Sequence, residues 1–361
     1  MHPILSIILM CILILVGMLF VMSPGKPLPF LDANGNLLAG SISEKIHLNV
    51  NGLMQGMFIK GKDATNPVLL YLHGGMPEYF LTQKYPTGLE DYFTMVWWEQ
   101  RGSGLSYSAN IPPETMTLEN MISDTKEVTN YLRKRFGQDK IYLMGHSGGT
   151  FIGIQVAARA PELYHAYMGV AQMSYQLESE KLAYHYMLRQ YKEKANKHKV
   201  RKLESTPVTL MDGIPDSYLS LRDHAMHSLG VGTTHEMKSV MTGIFLPSLT
   251  CREYSVIEKV NLWRGKSRSG VSSLWEPMLV TDLTKQVPEL HIPVYFFHGI
   301  YDYTVSYILA KDYFEKLKAP MKGFYTFQKS AHSPLFEEPE KMQLIVKSDI
   351  LAGINNLADI K

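Results

Sequence analysis

A serine hydroxyl becomes a strong nucleophile when an imidazole takes its proton and a carboxylate orients that imidazole. This chain carries the three residue types in the order Ser147, Asp302, His332. Ser147 is the centre of Gly145-His146-Ser147-Gly148-Gly149, a G-x-S-x-G pentapeptide. The small flanking residues allow a sharp strand-to-helix turn on which Oγ stands clear of a sheet. A glycine-rich loop can produce the same five residues by chance. Here the apolar Ile141-Tyr142-Leu143-Met144 precedes them and an amphipathic helical stretch follows, which is the context the chemistry requires. The helix N-terminus adds positive potential where an oxyanion would develop. Two N–H donors would bind that oxyanion. One belongs to Gly148, and the second is expected from Gly75 in His73-Gly74-Gly75, directly after the apolar run Val68–Leu72.

Asp302 and His332 are placed by the elements before them. An apolar run Pro293–Phe297 leads into His298-Gly299-Ile300-Tyr301-Asp302, and Gly323–Phe327 leads into Ser330-Ala331-His332. Both residues therefore fall just past the C-terminal ends of strands, the edge on which open α/β sheets bind ligands. Either one alone reads as a turn-capping aspartate or a surface histidine. Their shared placement and order favour a catalytic pair. Asp302 is the only carboxylate of its loop, and His298 reads as a structural residue beneath it.

The remaining pattern supplies a scaffold. Lys45–Val50 and Met54–Lys60 flank Asn51-Gly52, a strong hairpin turn. Pro67–Leu72, Met95–Trp98, Lys140–Met144 and Ala166–Val170 read as buried strands. Leu118–Phe136 is an amphipathic helix that Thr117 can cap, and Gly148–Arg159 is a second helix. From Met173 to Leu290 the alternation stops in a Tyr-, Met- and His-rich stretch of helical pattern. It resumes with Pro293–Phe297, the helix Ser306–Leu317, Gly323–Phe327 and the helix Pro339–Leu357. The expected fold is one doubly wound, mostly parallel α/β domain (26–172 and 291–361) with an inserted helical lid (173–290) after an N-terminal segment (1–25). Arg189 to Lys202 holds seven basic residues against one acidic, which reads as the solvated face of a lid helix.

The chain has 361 residues and a formal net charge of +2, so nothing points to nucleic acid. Its two cysteines, Cys11 and Cys251, are not expected to pair, because Cys11 lies in an apolar N-terminal run. No zinc-type cluster is visible, and acyl transfer by a serine needs no metal or cofactor. Ile4 to Met22 carries no charge, which leads to the expectation of a transmembrane anchor with the catalytic domain outside the cytoplasm. A cleaved secretory signal is the alternative.

The motifs together resemble the proline iminopeptidase group of α/β-hydrolases. The resemblance rests on His73-Gly74-Gly75, on Trp98-Glu99-Gln100-Arg101-Gly102-Ser103-Gly104, on the serine pentapeptide, and on the Asp302 and Ser330-Ala331-His332 loops. It covers the core from about residue 40 to the C-terminus, apart from the lid. The group's His-Gly-Gly-Pro-Gly reads here as His73-Gly74-Gly75-Met76-Pro77, and its Asp before Gln-Arg-Gly is Glu99. Arg101 reads as a structural tie between core loops. The resemblance implies release of the N-terminal residue from small peptides, whereas an esterase or lipase acting on acyl substrates would use the same machinery. An anchored binding protein on a hydrolase scaffold is the non-enzyme alternative. A peptidase of this kind must hold an α-ammonium, and Glu178 and Glu180 at the start of the lid are the candidate carboxylates.

Overall fold

Asn51 and Gly52 both adopt positive φ, 47° and 83°, the geometry of a tight two-residue hairpin turn. The turn joins β1 (Ile42–Val50) to β2 (Leu53–Gly61) in antiparallel register, Val50 opposite Leu53. In this computed structural model the described residues are 3–361, with the side chains of 3–6, 8, 11, 12 and 15 outside that set. The Cys11 side chain therefore lies outside the described residues, while Cys251 is buried.

Six further strands complete one sheet: β3 (Val68–Leu72), β4 (Thr94–Trp98), β5 (Ile141–His146), β6 (Tyr164–Val170), β7 (Val294–Gly299) and β8 (Lys322–Phe327). Their order is β1-β2-β4-β3-β5-β6-β7-β8, with β2 antiparallel to β4 and every later pair parallel. All five residues of β3 are buried. Val68, Leu70 and Leu72 pack on one face and Leu69 and Tyr71 on the other. Strands covered on both faces need such unbroken apolar runs.

Two helices carry the pattern read from sequence. Helix Leu118–Phe136 starts where Thr117 Oγ1 accepts the Asn120 N–H and stops at Gly137, which is left-handed at φ 64°. Helix Gly148–Arg159 leaves the end of β5 through Ser147. Between β6 and β7 the chain is largely helical, including Gln176–Glu193, Asp216–Leu229 and Val256–Lys266. A separate apolar cluster built on Tyr184, Met187, Tyr191, Tyr218 and Met226 holds part of this insertion together. The last helix is shorter than its periodicity predicts. It runs Pro339–Ile345, loosens into a π turn over Val346–Ile350, and bends away at Gly353, where φ is 66°. The chain then returns so that Phe324 N donates to Ile360 O at 2.9 Å beside β8.

The N-terminal expectation is corrected. Pro3–Val21 is a helix of 19 residues. Among the described residues no helix is long and apolar enough to cross a membrane. The anchor and the membrane as partner fall with that finding, and with the anchor goes the reason it gave for placing the catalytic domain outside the cytoplasm. The chain leaving this helix instead packs on the insertion: Lys259 Nζ donates to Met22 O (2.7 Å) and Ser23 Oγ (2.8 Å).

One buried ion pair ties the scaffold to the loop after β4. Arg101 donates Nε and Nη2 to the two oxygens of Asp124, each at 2.7 Å. Asn51 Nδ2 (2.8 Å) and Gln55 Nε2 (2.7 Å) donate to the same carboxylate. Removing one partner of such a pair leaves an uncompensated buried charge. Asp124→Ala should therefore cost about 3–5 kcal/mol. The check is the urea midpoint, which should fall with no change in the slope; a midpoint within error of wild type would refute this role.

Candidate active site

Ser147 sits at φ 54° and ψ −124°, a strained conformation for a residue with a side chain. Its N–H donates to Val170 O (3.1 Å), and its carbonyl accepts from Thr150 N (2.8 Å) and Thr150 Oγ1 (2.6 Å). The flanking glycines make the turn possible. A Cβ on Gly145 would stand 2.7 Å from Gly149 O, and one on Gly149 would overlap Leu72 O.

Asp302 and His332 meet as their placement at the strand ends requires. His332 Nδ1 lies 2.9 Å from Asp302 Oδ2, and His298 Nε2 lies 3.1 Å from the same oxygen. The other oxygen accepts the N–H groups of Thr304 and Val305, both at 2.9 Å. Burial alone would raise the Asp302 pKa, but the two imidazoles outweigh it and hold the carboxyl well below its usual range. For His332 burial dominates and its pKa is lowered, although Asp302 opposes the shift. The ring is therefore neutral near pH 7, with Nδ1–H on Asp302 and Nε2 free of a proton. Among the described residues no hydrogen bond joins Ser147 Oγ to His332. The two do line one cavity of about 170 Å³ with Gly75, Glu78, Arg222 and Asp223. Unliganded sites of this kind often tighten only on binding substrate.

A larger cavity of about 440 Å³ adjoins Ser147. Gly75 and Gly148, the two expected oxyanion donors, both border it, and its apolar wall is Met173, Val271, Trp275 and Met278. The Gly75 loop is anchored by His73, whose Nδ1 lies 2.8 Å from Gly74 O and whose Nε2 accepts the Gln100 N–H at 3.0 Å. That pattern demands a neutral ring, and burial lowers the His73 pKa to about 4.

The two carboxylates expected to face the substrate are disposed otherwise. Glu180 is fully buried and held by Arg222 through Nε (2.6 Å) and Nη2 (2.5 Å), with Gln176 Nε2 at 2.9 Å. Glu178 pairs with Lys181 at 3.3 Å. Neither borders the two cavities at Ser147. The groups at the cavity wall are Arg222 and Gln176 instead. Gln176 Nε2 donates to Glu180 Oε1 and to Thr304 O (2.8 Å), which fixes the amide orientation. Its Oε1 is left buried without a partner among the described residues.

His146, for which the sequence alone suggests no role, joins three loops. Its Nδ1 lies 2.8 Å from Glu78 Oε1 and its Nε2 lies 2.8 Å from His332 O. Both partners are acceptors, so both ring nitrogens carry protons. Burial opposes that charge, but Glu78 outweighs it and the His146 pKa is raised. The loop after β4 adds a second buried acid. Glu99 accepts the Leu105 N–H (2.5 Å) and the Tyr254 hydroxyl, and burial raises its pKa to about 8.

Residues 67–339 match the family of the alpha/beta hydrolase fold, and the chain belongs to that family. Over 306 residues it is 33% identical to the probable aminopeptidase YbaC of Bacillus subtilis, a match spanning 83% of this chain and 93% of that one. Its fold is similar to that of a proline iminopeptidase-related protein of Thermus thermophilus, with TM-score 0.60, 16% identity, and 86% and 98% of the two chains covered. A proline iminopeptidase of Mycobacterium smegmatis is similar at TM-score 0.59 and 13% identity, over 84% and 96%. The chain is thus a hydrolase of the alpha/beta hydrolase family, with a probable aminopeptidase among its relatives.

The Glu99 carboxyl predicts a pH dependence. In the folded chain it keeps its proton up to about pH 8, whereas in the unfolded chain it ionises around its ordinary value of 4.5. Between these values the unfolded state binds fewer protons, so this group makes stability fall as pH rises. Glu99→Gln should gain on wild type progressively across that window in thermal melts. A constant difference between the two proteins from about pH 5 to pH 8 would contradict the assignment.

Proposed function

We propose that the protein is a serine hydrolase that works through an acyl-enzyme and releases N-terminal residues from small peptides or aminoacyl amides. One observation carries the reading: Ser147, on a strained turn, shares a cavity with His332, whose ring Asp302 holds at 2.9 Å. On this reading Ser147 Oγ attacks the substrate carbonyl as His332 Nε2 takes its proton. The oxyanion is held by the N–H groups of Gly75 and Gly148. His332 then gives the proton to the leaving amine as the C–N bond breaks, and water repeats the cycle on the ester.

The aminopeptidase choice rests on the 33% identity to a probable aminopeptidase and on the site's dimensions. A cavity of about 440 Å³ with an apolar wall has room for a terminal residue and the bond that follows it. With Glu180 neutralised by Arg222, the free Gln176 Oε1 is an acceptor on the larger cavity for a substrate N–H. We assign residues 173–290 to a lid over Ser147, with 26–172 and 291–361 forming the core. A second reading, an esterase on apolar acyl groups, is favoured by one feature: no acidic side chain borders the larger cavity.

The test is a panel of free and N-acetylated aminoacyl amides and simple acyl esters on purified protein. A free α-amino group should be preferred by roughly ten- to a hundredfold, as a hydrogen bond to a charged group is worth about 1.5–3 kcal/mol. Equal turnover of blocked and free amides would defeat the aminopeptidase reading and leave the esterase. Ser147→Ala and His332→Ala should each lower kcat by at least ~10⁴-fold and abolish fluorophosphonate labelling. Wild-type turnover in either variant would defeat the serine mechanism.

A further inference from the structure

Glu337 lies outside both cavities at Ser147, yet its carboxylate grips the loop that carries His332. Oε1 accepts the N–H of Ala331 (2.9 Å) and of Ser333 (3.2 Å), the two residues that bracket His332. Oε2 accepts the N–H of His235 at 2.6 Å, from the helical insertion. The N–H of His332 itself reaches Gly232 O in the same insertion segment, at 3.4 Å. The His235 ring stacks on Tyr301 with centroids 3.9 Å apart, beside Asp302. Three donors from two separate parts of the chain thus converge on one anion. Successive backbone N–H groups on a carboxylate form a concave anion site.

We propose that Glu337 is a positioning residue for His332, a two-ended clamp that fixes the backbone on both sides of the imidazole and binds that loop to the insertion. The inference rests on the reading of His332 as the catalytic base. The imidazole's Nδ1 is held by Asp302 and its carbonyl by His146, so the clamp supplies the remaining restraint. An ionised carboxylate can accept all three N–H groups. A glutamine has a single acceptor oxygen, and its amide N–H₂ would face a backbone donor at one end. Burial raises the Glu337 pKa to about 7, opposed by its three backbone donors and reinforced by the charge of Asp302. The ionisable groups around it are Asp302 from the loop after β7, His332 from its own loop, His235 from the insertion, and neighbouring Glu338. Protonation would remove one acceptor in the way the glutamine does.

The experiment compares wild type, Glu337→Gln and Glu337→Asp on one cleaved substrate, with thermal melts as a folding control. Glu337→Gln should lower kcat by ten- to a hundredfold with KM within about twofold, because the clamp touches the base and not the substrate. The acidic limb of kcat against pH should also change. Wild type should show two ionisations, and Glu337→Gln should keep only the lower one, that of His332. Should Glu337→Gln fail to fold, Glu337→Asp decides: it keeps both oxygens but retracts them by one methylene, so a folded protein with lowered kcat and unchanged KM supports the clamp. Wild-type kcat with an unaltered acidic limb in the folded variants would overturn it. Wild-type turnover in His332→Ala would overturn the underlying assignment of the base instead, whatever Glu337 does.

Discussion

A buried carboxylate survives as an anion only where donors replace the water it has lost. Asp302 is such a case, with two imidazoles on one oxygen and two backbone N–H groups on the other. Hydrogen bonds to charged groups contribute about 1.5–3 kcal/mol each, and four of them are enough to keep the group ionised against its burial. Those donors come from the end of β7, from the turn after it, and from the loop after β8. The same four contacts that keep Asp302 charged therefore set the spacing of the two loops. The rest of the site inherits that spacing, because among the described residues Asp302 is the one partner of His332 Nδ1.

Around this centre each loop leans on another rather than on solvent. The Gly75 loop is held through His73 and Gln100. The Gln100–Arg101 loop is held by Asp124 and, through Glu99, by Tyr254 of the insertion. Glycine at 149 lets the serine helix approach β3 closely enough to bring Ser147 beside Gly74. Such mutual support holds the loops that carry Gly75, Ser147 and His332 in fixed register.

Much of this was legible in the sequence because the signals are local. Asn51-Gly52, the unbroken apolar strands, Thr117 before Leu118 and the small residues around Ser147 each act within a few positions. The order Ser147, Asp302, His332 could be read because each follows a recognisable strand. The carboxylates of the insertion could not. Glu180 looks free in sequence, but its partner Arg222 is 42 residues away on another helix. Nothing near Glu78 announces His146, which is 68 residues later. Apolar length misled at the N-terminus, where no helix among the described residues is long and apolar enough to cross a membrane. It misled again at the C-terminus, where the periodicity of Pro339–Leu357 runs past a π turn and Gly353.

The His146 ring lies 5.0 Å from that of His332, so a charged imidazole stands beside a neutral one. On the proposed mechanism, its field has opposite effects at two moments of the proton-transfer cycle. At rest the nearby cation discourages protonation of His332 and keeps Nε2 able to accept. Once His332 takes a proton, the same cation repels the new imidazolium, and the burden of stabilising it passes to Asp302. The pair thus behaves as an electrostatic spring, loaded by each proton accepted and relaxed by each proton released.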